Sequence, residues 1–435
     1  MAELNPQAVE ANNSIKSSNP VVYDLLSKKG RAIYYPSKGI LAQGAAAKGK
    51  EINATIGTAY EDDGTPMVLP GLANLLKIDS KDAFPYAPSQ GVNILRTKWQ
   101  ELIREKNPSL GNGPVSLPVA TCGVTNALSI LGYIFVDPAE EIIVSDLYWE
   151  NYNLVFTNAY DAELKCFNFF RDGVFDNDSF REAVNSKPIG KKIIVLNFPN
   201  NPSGYTPTPK AADGIVAALT ESAKAGNKLV VILDDSYFGL IFEDGIYEES
   251  LFARLSSAHE RLLAIKADGI TKEEYAWGFR IGFITYGIKN GTPEIYAALE
   301  GKTSGAIRGN ISNASHPAQS MFLHSLHSGT HQADKNRNRE IIRERYLKVK
   351  EVLEAHPEYS DYFEPLPFNS GYFMCIMLKN LDPNTVWQLL LDKYDTGVIC
   401  YGDKGLFRIA FASTPASKIE KLFDSIHSAC KDCSG

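Results

Sequence analysis

The sequence predicts an α/β fold with a mostly parallel sheet flanked by helices, together with a smaller α+β domain. Two features of the chain lead to this prediction. Through the middle of the 435 residues, short runs rich in Ile and Val alternate with segments of helical periodicity. Apolar runs without polar alternation are typical of parallel strands buried on both faces. Towards the C-terminus, a long charged helical segment is followed by separate strand-like runs, which is typical of an α+β unit.

Five apolar runs predict the strands of the large sheet: 140–146, 191–199, 228–237, 261–269 and 278–287. Helical spacing of apolar residues predicts helices within 94–105, 126–135, 180–184 and 213–225. In such an alternating arrangement, functional side chains are expected at the C-terminal ends of the strands.

The C-terminal part predicts a helix over 335–355, strands within 370–378 and 406–413, and a closing helix over 417–427. The apolar stripe expected on the first of these helices consists of Ile341, Tyr346, Val349 and Leu353. The predicted plan has an N-terminal arm with part of the small domain at 1–65, a large domain at 66–305, and the small C-terminal domain at 306–435.

Composition narrows the classes of partner and compartment. The chain has 44 Lys and Arg against 51 Asp and Glu, a net charge of −7, and no basic run, which argues against nucleic-acid binding. No apolar stretch reaches the about 20 residues that span a bilayer, so no membrane is expected. The N-terminus lacks the basic and apolar regions of a secretory signal. We therefore expect a cytoplasmic protein whose six cysteines are reduced thiols.

Two motif-like segments have simpler interpretations. Residues 44–50 resemble a phosphate-binding P-loop, but Glu51 occupies the Ser/Thr position and no strand precedes them, which favours a flexible loop. The Cys430–Cys433 pair has C-x-x-C spacing at the C-terminal end of the chain. Because no second pair could complete a zinc site, a frayed tail is expected there.

Three histidines have a spacing that could place them on one helical face: His324, His327 and His331. Gly329 and Thr330 interrupt that helix, and no acidic or cysteine ligand lies nearby in the sequence. We therefore expect surface histidines and not a metal site.

Polar and charged side chains follow three neighbouring predicted strands. Asn201 belongs to the segment Asn197–Gly204 at the end of the first strand, and the second strand ends in Asp234 and Tyr237. Lys272 follows the third strand, and Arg280 comes eight residues later. Each feature alone has an ordinary explanation, such as a turn, a helix cap or a surface charge. Together they predict one site at the C-terminal edge of the sheet.

This constellation resembles the class I and II aminotransferases of fold type I, nearest to the aspartate/aromatic branch, over about residues 52–428. The resemblance implies an enzyme that uses pyridoxal 5′-phosphate (PLP), held as a Schiff base on Lys272. It also implies that Asp234 pairs with the pyridine nitrogen of PLP. Asn201 and Tyr237 match the two hydrogen-bond donors to the 3′-oxygen of the ring.

The resemblance also implies how the rest of PLP would be held. Gly123, Val124 and Thr125 match the start of the helix that binds the phosphate, where free N–H groups face an anion. Arg280 matches the arginine that clamps this phosphate, and Trp149 matches the aromatic that stacks on the ring. The family often has Ser where this chain has Gly269, which removes one hydroxyl contact to the phosphate unless Thr271 replaces it.

For the substrate, the resemblance implies that Arg408 holds the α-carboxylate through two parallel hydrogen bonds. Gly57 matches the loop glycine near that group, and Asn201 and Trp149 would also contact the substrate. Arg308 matches an arginine of the partner subunit that binds a distal carboxylate. This chain departs from that branch at 314–315, where two prolines usually stand.

Tyr86 matches a tyrosine that reaches the neighbouring subunit's phosphate. A homodimer with shared active sites is therefore implied.

The predicted reaction transfers the amino group of an L-amino acid, acidic or aromatic in preference, to a 2-oxo acid such as 2-oxoglutarate, in ping-pong half-reactions. A PLP-dependent lyase or decarboxylase is an alternative, because the fold does not decide which bond breaks. A regulatory protein on the same fold is a second alternative. Such proteins typically carry an added DNA-binding segment, and none is expected from the short acidic N-terminus.

Overall fold

The structure, a computed structural model, describes residues 4–34, 39–76 and 78–434, apart from the side chains of residues 21, 22 and 41. The chain begins with short elements that lead to the large sheet. In order they are α1 (Pro6–Ser18), α2 (Pro20–Leu25), α3 (Lys28–Ala32), α4 (Ile40–Ala46), β1 (Ile52–Asn53), α5 (Pro70–Ala73), α6 (Ser80–Ala83) and α7 (Asn93–Lys106).

The large sheet and its helices follow. They are β2 (Val119–Thr121), α8 (Gly123–Phe135), β3 (Glu141–Ser145), a π-helical turn (Asn153–Asn158), β4 (Glu163–Phe167), β5 (Phe170–Arg171), β6 (Val174–Phe175), α9 (Asn177–Val184), β7 (Lys191–Asn197), α10 (Pro209–Lys224), β8 (Lys228–Asp234), α11 (Leu251–Leu255), β9 (Leu262–Gly269) and β10 (Gly282–Ile288).

Within the described residues, the large sheet has the order β2-β10-β9-β8-β7-β3-β4. Its strands from β9 to β4 run parallel, whereas β10 is antiparallel to both β9 and β2. The predicted α/β fold with a mostly parallel sheet is confirmed. The segment 270–281 joins β9 to β10 without a crossover helix, which a parallel pair would require.

The C-terminal part contains α12 (Pro293–Asn310), α13 (His316–Leu326), α14 (His331–Ala355), β11 (Phe363–Pro365), β12 (Met374–Leu378), α15 (Pro383–Asp392), β13 (Thr396–Gly397), β14 (Ile399–Tyr401), β15 (Leu406–Ile409) and α16 (Ala416–Ser434). An antiparallel sheet has the order β11-β12-β15-β14, and β13 pairs with the N-terminal strand β1. Both ends of the chain thus meet in this part. The predicted domain boundaries stay a prediction, and α12 runs through the one at residue 305.

The apolar stripe of α14 differs from the predicted one. Ile342, Tyr346, Val349 and Val352 are the buried apolar residues, whereas Ile341 and Leu353 are only half-buried. The buried face also contains Arg345, whose guanidinium donates to the backbone oxygen of Ala412 and to Asp62. Because the buried face includes a charged residue, a prediction from apolar residues alone places the edges of this face one residue away from their true positions.

Three smaller expectations are wrong in whole or in part. The loop predicted over 44–50 is helical at its start, because α4 extends to Ala46, and only the residues after Ala46 form a turn. His331 is buried at the start of α14, where its Nε2 lies 3.0 Å from a carboxylate oxygen of Glu274. Helix α16 continues to Ser434 with Cys430 buried, so the tail is not frayed. These errors share a cause, because each segment is ordered by contacts with residues distant in the sequence.

Metal-ligating clusters and membrane-spanning helices are absent from the described residues. Over the residues that the structure describes, there is no cluster of three or more His, Cys, Asp or Glu side chains that could hold a metal ion. Among the helices of the same residues, none combines the length and the apolar character needed to cross a bilayer.

Candidate active site

A cavity of about 550 Å³ opens where β7 and β8 end. Many of the side chains and glycines predicted from the sequence line it: Gly57, Val124, Thr125, Trp149, Asn201, Asp234, Tyr237, Lys272, Arg280 and Arg408. The other residues that line the cavity are Ile40, Gly44, Thr55, Ile56, Asn197, Ser236, Thr271 and Phe373. The fold therefore gathers strand ends, the N-terminal segment and the C-terminal sheet around one space.

Lys272 brings an amine into this cavity. Its Nζ donates a hydrogen bond to the backbone oxygen of Gly57 at 2.8 Å and lies 5.0 Å from the centre of the Tyr237 ring. Burial, followed by the positive charges of Arg408 and Arg280, lowers the pKa of Lys272 to about 7. A large fraction of the amine is therefore neutral, and nucleophilic, near neutral pH.

Asp234 is the last residue of β8, and only 2% of it is exposed. Its Oδ2 accepts a hydrogen bond from the hydroxyl of Tyr152 at 2.6 Å, and its Oδ1 accepts one from the hydroxyl of Ser236. Burial raises the pKa of Asp234, while the hydrogen bonds from Ser236 and Tyr152 lower it. The site thus holds a buried carboxylate that is supported by hydroxyl donors.

Arg408, on β15, extends from the C-terminal sheet to the same cavity. It donates to Oδ1 of Asn201 at 3.2 Å and to the backbone oxygen of Thr55 at 3.0 Å. Its guanidinium lies 4.2 Å from the centre of the Phe373 ring. Within the described part of the chain, its buried Nε has no hydrogen-bond partner. Because buried donors are rarely left unpaired, this arrangement fits the binding of an anion such as a carboxylate.

A second anion cradle lies at the start of helix α8. The N-cap residue Cys122 makes no side-chain hydrogen bond to the first turn, although its own N–H donates to Oδ1 of Asn126 at 3.1 Å. The N–H groups of the first turn are therefore open to a ligand. Gly123 has a φ of +76°, and a Cβ there would lie 2.5 Å from the Nη2 atom of Arg280. The guanidinium thus packs directly against the glycine backbone beside the open N–H groups, and a side chain at position 123 would displace it.

Two predicted residues lie away from this cavity. Tyr86 is 87% exposed on the surface. Arg308 is exposed on α12, where its Nη1 donates to the hydroxyl of Ser312 at 2.8 Å. Neither residue lines the cavity of its own chain.

Other residues of the site were missed or left without a role. Asn197 donates from its Nδ2 to the backbone oxygen of Asp234 at 2.7 Å and stands at the head of the predicted Asn-Pro segment. Tyr152 follows Trp149 by three residues, a spacing that places both on one side of a helical turn. Phe373 and Thr55 have no signal in the sequence, because folding alone brings them beside Arg408.

Residues 53–426 match the family model described as aminotransferase class I and II. The chain belongs to this family. A probable aspartate/prephenate aminotransferase of Thermus aquaticus is 29% identical over 199 residues, which are 46% of this chain and 48% of the relative. The mitochondrial aspartate aminotransferase of Schizosaccharomyces pombe is 26% identical over 271 residues, 61% of this chain and 59% of the relative. The chain thus spans about half the length of the curated relatives it matches.

The fold agrees with this membership. The crystal structure of an aminotransferase from Anaerococcus prevotii superposes with a TM-score of 0.77 at 25% identity, covering 90% of this chain and 95% of the other. An aspartate aminotransferase mutant of Thermus thermophilus superposes with a TM-score of 0.71 at 20% identity, covering 93% of this chain and 99% of the other. The likeness spans nearly the whole chain in both comparisons.

The family works with PLP, and the side chains present fit this cofactor. The cradle of Gly123 and Arg280 suits a phosphate dianion, the Lys272 amine suits an aldehyde, and the buried carboxylate of Asp234 suits a protonated pyridine nitrogen. The cavity volume of about 550 Å³ lies within the usual range for cofactor sites.

Proposed function

We propose that this protein is a PLP-dependent aminotransferase that moves an amino group from an L-amino acid to a 2-oxo acid in two half-reactions. The observation that carries the proposal is the Lys272 amine, with a pKa lowered to about 7, in one cavity with Asp234 and Arg408. An amine, a buried carboxylate and a carboxylate-binding guanidinium are what amino-group transfer requires of the protein.

Each of these residues has a separate task in the proposed reaction. When bound, PLP withdraws electrons from the substrate Cα. Arg408 would bind the α-carboxylate, using its free Nε and the nitrogens that now contact Asn201 and Thr55. Lys272 Nζ would take up the proton of the substrate Cα as a general base, a role that its low pKa favours.

The remaining contacts would hold the cofactor. Asp234 would face the pyridine nitrogen, and Tyr237 and Asn201 would donate to the 3′-oxygen of the ring. Trp149, which lies edge-on to Tyr152 at 5.7 Å, would stack on the ring, and the start of α8 with Arg280 would hold the phosphate.

Both acidic and aromatic donors stay within the proposal. Ile40, Ile56 and Phe373 provide apolar walls, which favour an aromatic side chain. The names of the curated relatives above point to aspartate for those proteins. An acidic donor would need a further cation, and we propose that Arg308 supplies it across a homodimer in which Tyr86 reaches the neighbouring phosphate site.

Absorbance spectroscopy tests the function. Purified protein loaded with PLP is mixed with single L-amino acids in the absence of any oxo acid. We expect the visible band of lysine-bound cofactor to give way to the band of pyridoxamine phosphate, and a 2-oxo acid to restore it. Lys272→Ala should lack the first band. Formation of ammonia or carbon dioxide with no pyridoxamine phosphate would instead support the lyase or decarboxylase alternative.

Arg308→Ala separates the two donor classes. If Arg308 binds a distal carboxylate, the variant should lose its response to aspartate and glutamate and keep its response to phenylalanine and tyrosine. An equal response of the variant and the wild type to aspartate would contradict the proposed role of Arg308.

A further inference from the structure

Tyr152 lies directly behind the Asp234 carboxylate and outside the walls of the cavity. Its hydroxyl donates to Oδ2 of Asp234 at 2.6 Å, and only 1% of the residue is exposed. The cavity is lined by Asp234 and Trp149 but not by Tyr152. Tyr152 therefore acts on a bound cofactor only through residues that line the cavity, and the polar route runs from its hydroxyl through the Asp234 carboxylate.

Aromatic neighbours fix the direction of this hydroxyl. Three aromatic rings surround the Tyr152 ring: Tyr148 is stacked on it, Trp149 is edge-on to it, and Phe156 is tilted. The distances between ring centroids are 6.3 Å, 5.7 Å and 5.8 Å, respectively. The π-helical turn that begins at Asn153 follows directly, and such turns are frequent at functional sites. The Tyr152 hydroxyl therefore has one preferred orientation, towards Asp234.

The charge on Asp234 depends on hydrogen bonds. Within the described residues, Asp234 forms no ion pair, and its other oxygen is satisfied by Ser236. The neighbouring Asp235 adds repulsion, although Lys266 pairs with that residue. In a buried site, hydrogen bonds to the ionised form are what keep a carboxylate charged against desolvation. Removal of one donor would shift the balance towards the neutral acid.

We propose that Tyr152 is a positioning residue that keeps Asp234 ionised and directed at the pyridine nitrogen of bound PLP. The inference rests on the proposed function, because it concerns the same cofactor site. The hydroxyl itself remains a donor at neutral pH, since burial and then Asp234 raise the pKa of Tyr152 well above its usual value.

The test compares Tyr152→Phe with Tyr148→Phe. The two variants each remove one hydroxyl from the same aromatic stack, but the Tyr148 hydroxyl contacts Asn153 and no residue of the cavity. PLP affinity of the apo-protein is measured as a function of pH. We expect Tyr152→Phe to weaken binding about tenfold at neutral pH, the scale of one hydrogen bond to a charged group. The acid limb of the profile, meaning the fall in PLP affinity at low pH, should lie at higher pH in Tyr152→Phe than in the wild type. Tyr148→Phe should match the wild type.

Nuclear magnetic resonance of ¹⁵N-labelled PLP gives a readout that is independent of affinity. In the wild type the ring nitrogen should resonate as a pyridinium, and in Tyr152→Phe its resonance should move towards that of a neutral pyridine. An unchanged resonance and an unchanged acid limb would overturn the proposal while leaving the proposed function intact. If the wild type itself fails to couple PLP, the proposed function fails as well.

A second variant keeps the test decisive if Tyr152→Phe does not fold, as judged by circular dichroism and thermal unfolding. Site-specific 3-fluorotyrosine at position 152 retains the ring and the hydroxyl but is a stronger donor. It should move the acid limb of PLP binding to lower pH. A limb that stays at the wild-type position would overturn the proposal.

Discussion

The Nζ atom of Lys272 donates a hydrogen bond to the backbone oxygen of Gly57 at 2.8 Å, so the amine beside the large sheet is held by the N-terminal segment. From the other side, the hydroxyl of Tyr372 donates to the backbone oxygen of Lys272 at 2.9 Å. The loop that carries the amine is thus held between two segments that lie far from it in the sequence. The protonation of the Lys272 amine should therefore respond to residues of the C-terminal sheet.

The first prediction concerns the pH at which Lys272 reacts. Burial, then Arg408 and Arg280, lowers the pKa of Lys272 to about 7, so below this pH the amine is protonated and unreactive. The rate at which PLP couples to the apo-protein should fall about tenfold for each pH unit below that value. Arg408→Gln removes a neighbouring positive charge and should raise the pKa of Lys272. The fall in the coupling rate should then begin at a higher pH, as measured by stopped-flow absorbance.

Lys404→Gln is the matched control, since Lys404 does not contribute to the pKa of Lys272. If the coupling rate of Arg408→Gln falls over the same pH range as that of the wild type, the electrostatic coupling between Arg408 and Lys272 is contradicted.

The second prediction concerns the anion cradle. In Gly123→Ala, the new Cβ would lie 2.5 Å from Nη2 of Arg280, so the guanidinium must move and PLP affinity should fall at least tenfold. Gly173→Ala is matched in backbone strain, because Gly173 has a φ of +75° but nothing within 4 Å of a Cβ. It should lower the melting temperature without changing the PLP affinity measured by titration. Equal affinities of the two variants would contradict the cradle.

The third prediction concerns Gly269, where the family often has serine. A Cβ at this position would lie 2.5 Å from the backbone oxygen of Ile281 and 2.8 Å from Cα of Gly282, because β9 and β10 approach closely. Gly269→Ser should therefore lower the free energy of unfolding by about 1–3 kcal/mol instead of adding a phosphate contact. Denaturant unfolding measures this, with Gly190→Ser as the control, since a Cβ at Gly190 meets nothing within 4 Å.

A variant Gly269→Ser with wild-type stability and tighter PLP binding would show that the two strands can separate to admit the hydroxyl.

The fourth prediction concerns a buried ion cluster beside the Lys272 loop. It borders a groove of about 950 Å³ on the far side of that loop. Lys335 contacts Glu274 at 2.6 Å and Glu273 at 3.1 Å, and both pairs are largely buried. Lys335→Met removes the cation shared by both carboxylates, which leaves Glu273 with Lys106 and Glu274 with His331, and should lower the free energy of unfolding by about 3 kcal/mol. Lys348→Met breaks an exposed pair with Glu351 and should cost less than about 1 kcal/mol.

This cluster also gives a pH dependence. Burial alone would raise the pKa of Glu274, but Lys335 and then His331 hold it well below its usual 4.5. Because the folded pKa is the lower one, the stabilisation is present above about pH 4.5 and is lost as the pH falls towards the folded value. Acid unfolding followed by circular dichroism should show this loss in the wild type and a smaller one in Lys335→Met.

The sequence by itself determined the fold class and the local motifs at the strand ends. Lys272, Asp234 and Asn201 could be selected because each lies at or just after the end of an apolar strand, where the parallel strands of an α/β fold share an edge. The apolar pattern of β10 did not predict that this strand runs antiparallel to its neighbours, since buried parallel and antiparallel strands can have the same apolar composition.

Only the tertiary structure decided which distant groups meet. The contact of Lys272 with Gly57, the bond of Tyr152 to Asp234 and the burial of His331 against Glu274 join residues from separate segments. Local periodicity reports which face of an element is apolar, but it holds no information on which polar atom lies opposite. Such contacts set the pKa of the amine and the support of the carboxylate, so the chemistry of the site depends on the fold as a whole.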